Sequence, residues 1–291
     1  MESLKSCIEY AKEILKENGI PDVDQSIKYI LAISTNTPAE DVTKIKSLSA
    51  EEFKKFNKLL KERCRHIPLD KIIGYKYFLD VKIPYSKSTL TPRQETEILA
   101  DMVVKEILAE KKSERYLLDL CTGSGCVGLS IANATGINVT MSDVDALAIT
   151  DAKKNTKLNN EIRQEKGLPP INPNIIKSDL FEDLPYKFDY IVCNPPYIKS
   201  SDLEKLELEV RDFDPRVALD GGKDGLDFYR QIIKSAPKHL NCNGKLYLEV
   251  GYDQAQLVAK LLSKDFENIK IVKDYSGIER FIIAKKREKD A

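Results

Sequence analysis

Histidine is nearly missing from this chain of 291 residues, which has two, His66 and His239. Neither has a neighbour at metal-ligand spacing, so no metal site is expected. No C-x-x-C pair occurs either. The six cysteines, Cys7, Cys64, Cys121, Cys126, Cys193 and Cys242, are dispersed and sit mostly among apolar residues, as free thiols of a reducing compartment do. Neither sign of charge is in excess: 46 basic residues face 46 acidic ones, which argues against a large nucleic-acid-binding surface. Direct nucleic-acid binding is not expected. No apolar run approaches the ~20 residues that span a bilayer, and Met1-Glu2-Ser3 opens neither a signal nor an Arg-rich transit peptide. The expectation is a cytoplasmic location with no membrane partner.

The length allows about two domains and a sizeable core. Leu4, Cys7, Ile8, Ala11, Ile14 and Leu15 share one helical face, and Asn18-Gly19 followed by Pro21 stops it. A second helix is expected from about Asp24 and a third over 39–46. A fourth opens on a capping box, Ser49 with Glu52, and carries Phe53, Phe56 and Leu60 as its apolar stripe. Residues 1–66 therefore read as a small helical domain. Between 67 and 92 the period changes to alternation (Tyr75, Tyr77, Leu79, Val81, Ile83), which predicts a β-hairpin linker to a larger domain over 93–291. Thr91-Pro92-Arg93-Gln94 predicts a helix start with Thr91 as N-cap, Pro92 in the first turn and Gln94 closing the box.

From Tyr116 onward the pattern is strand, loop, helix, repeated. Strands are expected at 116–120, 138–143, 174–179, 188–193 and 245–250, with helices at 126–134, 146–160, 226–239 and 253–263. This predicts a doubly wound, mostly parallel α/β sheet. Runs at 269–275 and 280–285, separated by Ser276-Gly277-Ile278-Glu279, predict a terminal antiparallel hairpin and so a Rossmann-like sheet of seven strands.

Two loops carry the chemistry. The apolar run Tyr190-Ile191-Val192-Cys193 delivers Asn194-Pro195-Pro196-Tyr197 to a strand's carboxyl end, where open α/β sheets bind ligands. Pro195 and Pro196 have no backbone N–H, and each biases its predecessor toward extended geometry. Asn194 and Pro195 then present oxygens able to accept both hydrogens of a planar –NH2 group, with the Tyr197 ring as a stacking face. The same residues are also compatible with a turn that merely closes a strand. The second loop, Cys121-Thr122-Gly123-Ser124-Gly125, lies between the first strand and its helix, where a backbone can approach a ligand closely. Gly123, Gly125 and Gly128 also satisfy G-x-G-x-x-G, and Asp143 stands near the spacing of a ribose-binding acid, so the loop alone does not choose between S-adenosylmethionine and NAD. The acceptor tetrapeptide and the reversed terminal hairpin favour S-adenosylmethionine.

Nearly the whole chain resembles the release-factor glutamine N5-methyltransferase family of class I S-adenosylmethionine-dependent methyltransferases. The resemblance is carried by TPRQETE at 91–97, DLCTGSGC at 119–126, SDLF at 178–181, IVCNPPYI at 191–198, PRVALDGGKDGLDFYR at 215–230 and LEVGYDQ at 248–254. It implies methyl transfer to the amide nitrogen of the glutamine in the Gly-Gly-Gln loop of peptide chain release factors, and a substrate-recognition role for residues 1–66. It places the methionine part of the cofactor on Cys121, Thr122, Gly123, Ser124 and Gly125, the ribose on Asp143, and adenine beside Asp179 and Leu180. Asn194, Pro195, Pro196 and Tyr197 would hold the substrate amide, with Asn194 also near the cofactor. The sequence departs from the family's usual pattern at Gln94 (Pro), Cys121 (Gly), Asp145 (Ser) and Leu180 (in some members a larger aromatic). The competing expectations are a nucleic-acid adenine-N6 methyltransferase using the same acceptor edge, an NAD-dependent oxidoreductase, and a non-enzymatic adaptor.

Overall fold

The computed structural model describes residues 2–110, 114–184 and 186–288. The chain forms two compact units, one of Met1–Lys76 with Glu207–Phe213, the other of Tyr77–Leu206 with Asp214–Ala291.

The first unit is helical: α1 (Leu4–Glu17), α2 (Val23–Thr35), α3 (Ala50–Arg63) and α4 (Leu69–Ile73), joined by the short segment α8 (Leu208–Arg211) from far along the chain. Cys7, Ala11 and Leu15 bury one face of α1 against Ile27, Ile30 and Leu31 of α2 and Phe56 and Leu60 of α3. Each fully buried large side chain contributes about 1.5–3 kcal/mol. The Ser49 capping box forms as expected, the Ser49 Oγ accepting from Glu52 N while Glu52 accepts from Ser49 N at 2.7 Å. The helix expected over 39–46 does not form. Only Val42–Lys44 turns, as a 3-10 segment, because the chain must straighten for β2 (Ser47–Leu48) to pair with β1 (Glu2–Ser3). Arg63 is the polar centre of this unit: buried, it donates to Ser26 Oγ at 3.0 Å, Ile67 O at 3.1 Å and Asp22 Oδ1 at 2.5 Å, and pairs with Glu209 at 2.8 Å.

The alternating stretch becomes the hairpin β3 (Tyr75–Phe78) and β4 (Val81–Pro84). After α5 (Gln94–Ala109) come β5 (Tyr116–Leu120), α6 (Cys126–Thr135), β6 (Asn138–Asp143), α7 (Ala146–Glu165), β7 (Asn174–Lys177), β8 (Phe188–Cys193), α9 (Asp227–His239), β9 (Leu240–Glu249), α10 (Ala255–Leu262), β10 (Phe266–Lys273) and β11 (Glu279–Lys286). These seven strands form one sheet in the order β10-β11-β9-β8-β5-β6-β7. β7, β6, β5, β8 and β9 run parallel, and β11 is inserted antiparallel between β9 and β10. β5 has β6 on one side and β8 on the other, so the strand order reverses there, and the carboxyl ends of these strands border the crevice that such a switch point opens. The two faces of the sheet carry separate apolar layers, one with α9 and α10 (Tyr229, Ile232, Val258), the other with α5 and α6 (Leu99, Val103, Leu129).

Candidate active site

A cleft opens at that switch point, enclosing about 990 Å³ of space that is partly open to solvent. Its first wall is the loop after β5. Asp119 is buried at the strand's end, where its Oδ2 accepts from Thr122 Oγ1 at 2.5 Å and Gly128 N at 2.8 Å. Burial outweighs those bonds and pushes its carboxyl up to about 7. The loop is pinned further by Thr122 N donating to Ser142 O and Asn155 Nδ2 donating to Ser124 O, both at 2.9 Å. Gly125 is left-handed at φ 81° and caps α6.

The second wall is the end of β6. Asp143 accepts from Gly123 N through Oδ2 and from Asp145 N through Oδ1, each at 2.9 Å. Burial raises its carboxyl above the usual range, and the two amide bonds counter that rise. Ser178 N donates to Asp143 O at 2.9 Å, which brings Ser178, Asp179 and Leu180 to the same edge. Cys121 and Leu180, two of the positions where the sequence departs from the resembled pattern, both adopt left-handed backbone, φ 59° and 46°.

The third wall is the end of β8. Asn194 lines the cleft, and its Nδ2 donates to Thr96 Oγ1 at 3.1 Å; the Thr96 hydroxyl donates to Glu249 Oε2 at 2.7 Å. The segment after it is braced from behind. Ile198 N donates to Leu219 O at 2.9 Å, Gly221 N to Ile198 O at 2.8 Å, and Gln254 Nε2 to Tyr197 O at 2.9 Å. A Cβ on Gly221 would lie 2.7 Å from Tyr197 Cα, so only glycine permits this approach.

Of the residues anticipated from sequence, Cys121, Thr122, Gly123, Ser124, Asp143, Asp179, Leu180, Asn194 and Pro196 meet in the one cleft. Gly125, Pro195 and Tyr197 stand behind its surface: Gly125 where a Cβ would meet Ala152, Pro195 buried, and Tyr197 packed against the core layer of α9 and α10. Thr91 does not cap α5, which starts at Gln94 without a side-chain cap. Its N–H and hydroxyl both donate to Asp214 Oδ1 at 3.1 Å, and Arg93 donates to Asp214 Oδ2 at 2.5 Å. This buried acid, which outcompetes the helix start, holds the base of the 3-10 segment Arg216–Ala218, whose Val217 and Ala218 line the cleft. Asp214, Thr96 and Glu249 are not singled out by spacing. Thr96 lies among the charged residues of TPRQETE and Glu249 in LEVGYDQ, and each is recognisable only once the strands are assembled.

A seven-stranded sheet with an inserted antiparallel β11 and a cleft walled by a Gly-rich loop, a strand-end acid and Asn-Pro-Pro-Tyr defines a Rossmann-like methyltransferase. Residues 93–209 match the family model described as Methyltransferase small domain, and residues 6–74 match that of the PrmC N-terminal domain. A methyltransferase from Pyrococcus furiosus shares the fold with a TM-score of 0.54 at 20% identity, over 78% of this chain and 98% of that one. Among curated proteins, the release factor glutamine methyltransferase of Thermodesulfovibrio yellowstonii is 37% identical over 242 residues, 82% of this chain and 84% of the relative. Those of Fusobacterium nucleatum and Geobacter sulfurreducens are 36% and 32% identical, over 94% and 96% of this chain and 76% and 95% of theirs. The chain belongs to the release factor glutamine methyltransferase family.

Proposed function

We propose that this protein transfers a methyl group from S-adenosylmethionine to the side-chain amide nitrogen of the glutamine in the Gly-Gly-Gln motif of peptide chain release factors. The observation that carries the reading is Asn194, held at the carboxyl end of β8 across one cleft from the Gly-rich loop and Asp143, in a chain of this family. Residues 121–125 hold the methionine part of the cofactor, Asp143 the ribose, and Asp179 with Leu180 the adenine. The acid suits the ribose, since each Asp143 oxygen accepts one backbone N–H and keeps a further lone pair for a hydroxyl. The bound cofactor supplies an electrophilic sulfonium methyl.

An amide nitrogen is a weak nucleophile because its lone pair is delocalised into the carbonyl. Asn194 Oδ1 accepts one of its hydrogens at the cleft wall and the carbonyl of Pro195, whose ring is buried behind that wall, is the acceptor for the other; together they fix the plane of the amide and point the nitrogen along the line of attack. The same two acceptors stabilise positive charge as it grows on nitrogen, so the proton can leave after the bond has formed. Pro196 and Tyr197 keep this edge rigid. The amino-terminal domain, residues 1–66, recognises the release factor, with 67–92 as linker and 93–291 as the methyltransferase domain. No described helix is long and apolar enough to cross a membrane, and a substrate of the translation machinery places the enzyme in the cytoplasm.

The test is incubation of purified release factor with labelled S-adenosylmethionine, followed by mass spectrometry. Label on the Gly-Gly-Gln glutamine, absent from a release factor with that glutamine changed to Ala and from Asn194→Ala enzyme, is the expected result. Label on adenine of added nucleic acid, with none on the glutamine, overturns the reading.

A further inference from the structure

Asn194 serves as an acceptor only with its amide turned one way round, because rotation by half a turn about the last side-chain bond would present two N–H donors to a substrate that is itself a donor. Crowding does not choose between the two, since the oxygen and the –NH2 group are nearly isosteric. Hydrogen bonding must choose.

We infer that Thr96 and Glu249 are a positioning pair that locks Asn194 with Oδ1 toward the substrate amide; the inference rests on the amide-methylating reading above. The chain of donors has one consistent direction. Ionised Glu249 only accepts, so in that form of the enzyme the single hydroxyl hydrogen of Thr96 is committed to Glu249 Oε2 at 2.7 Å. The Thr96 oxygen is left with lone pairs and can only accept from Asn194, which it does from Nδ2 at 3.1 Å. Oδ1 is then the free end of Asn194. Thr96 and Glu249 are 4% and 2% exposed, so water does not supply a competing partner of either polarity.

The two residues are held independently of Asn194. Thr96 lies in the first turn of α5, whose start is tied down by Arg93 and Asp214. Glu249 ends β9, where its carbonyl accepts from Tyr229 Oη at 2.9 Å and Phe281 of β11 stands opposite it. Keeping a carboxylate buried costs free energy that a hydrophobic residue would avoid. Among the described residues Glu249 makes no ion pair within 4.0 Å and hydrogen-bonds through its side chain to Thr96 alone. An acid retained at such a place, bound to one hydroxyl that itself touches the acceptor Asn, is explained by the direction it imposes.

The experiment uses the full-length enzyme with Thr96→Val, which keeps the shape and removes the hydroxyl, and Thr96→Ser, which restores it. Three quantities are read: kcat and KM on the release factor, the S-adenosylmethionine Kd, and the Asn194 side-chain amide signals with 15N-labelled asparagine, assigned by their loss in Asn194→Ala. The expected result for Thr96→Val is a kcat lower by about 10- to 100-fold, the size of effect a misplaced reacting group gives, with the cofactor Kd within about twofold. Thr96→Ser recovers kcat to within about threefold. The downfield, exchange-protected Asn194 proton is present in wild type and Thr96→Ser and lost in Thr96→Val. Wild-type kcat in Thr96→Val, equal losses in Thr96→Ser and Thr96→Val, or no protected Asn194 proton in wild type each overturns the inference. Should Thr96→Val fail to fold, Glu249→Leu decides instead: with no acceptor for its hydroxyl, Thr96 is free to donate to Asn194 Oδ1 and draw it away from the substrate, so kcat falls with the cofactor Kd unchanged, and a wild-type kcat overturns the inference. The spectroscopic arm needs no substrate, so a protected Asn194 proton in an enzyme that leaves the release factor unmodified would sink the proposed substrate while leaving the positioning pair in place.

Discussion

Replacing Gly221 with Ala isolates the bracing of Asn-Pro-Pro-Tyr from every polar contact in the cleft. Its φ lies outside the left-handed region, so alanine meets no backbone penalty there. What it meets is backbone: the new Cβ would sit 2.7 Å from Tyr197 Cα, 2.8 Å from Tyr197 C and 2.9 Å from Pro196 O. Ordinary contact begins at 3.4 Å, so the chain must give by 3.4 − 2.7 = 0.7 Å. Gly221 N is bonded to Ile198 O and Leu219 O to Ile198 N, which ties the glycine segment to the tetrapeptide's far side. Pro196 and Tyr197 therefore take up the shift, two residues from Asn194. A misplacement near 1 Å at a reacting group costs about 100-fold, so kcat of Gly221→Ala should fall by about 30- to 100-fold. Overpacking should also remove about 1–3 kcal/mol of stability. The atoms nearest that Cβ belong to Tyr197 and Pro196 and not to the residues proposed to hold the cofactor, 121–125 and Asp143, so the S-adenosylmethionine Kd from calorimetry should hold. A folded Gly221→Ala enzyme with kcat within about twofold of wild type would show that Gly221 does not brace the tetrapeptide.

Asp143→Ala leaves the Gly123 and Asp145 N–H groups without their acceptor and removes the proposed ribose partner; an S-adenosylmethionine Kd raised by less than about tenfold would contradict that role. Arg63→Ala strands Asp22 and Glu209 beside the space it filled, so urea unfolding should show a loss of about 3 kcal/mol, and an unchanged midpoint would speak against the cluster. Glu249 is pushed up to about 7, chiefly by burial and by Glu95, against the Thr96 bond and the Arg280 and Arg93 charges. The folded protein thus keeps a proton that the unfolded chain has already released, and stability falls as pH rises from about 4.5 to about 7, then levels off. Asp119 titrates in the same window, so Glu249→Gln should flatten the slope by part, up to about 3 kcal/mol across it; an unchanged slope in thermal melts at several pH values would count against the burial of this acid. The limb of kcat/KM that rises toward neutrality as Glu249 ionises should shrink in the same variant.

The strands at 116–120, 138–143 and 188–193 are legible in the sequence because each is an apolar run bounded by loop residues, and their observed bounds coincide with those expected. Loops are legible where local chemistry dominates, as at Ser49 and Glu52. What escapes is non-local. Thr91 reads as an N-cap until Asp214, 123 residues on, claims its N–H and hydroxyl. The 39–46 stretch reads as a helix until β1 recruits the residues after it. Thr96 stands 98 residues from Asn194 and 153 from Glu249, so no spacing rule connects them. The terminal hairpin is visible in the sequence; that β11 slips between β9 and β10 follows from pairing, which a linear pattern does not carry.

Arg63 faces Asp22 from the same amino-terminal segment, Met1–Lys76, and Glu209 from a stretch embedded in the methyltransferase half. The amino-terminal unit is consequently not a bead that gene fusion could detach or swap by one cut after Lys76. A recombinant fragment ending there would leave a guanidinium with half its counter-charge and lack Glu207–Phe213. Exchange of this unit between relatives has to bring along a seven-residue passenger from the other half, and lineages can shuffle the two halves only if all three junctions, after Lys76, Leu206 and Phe213, are cut.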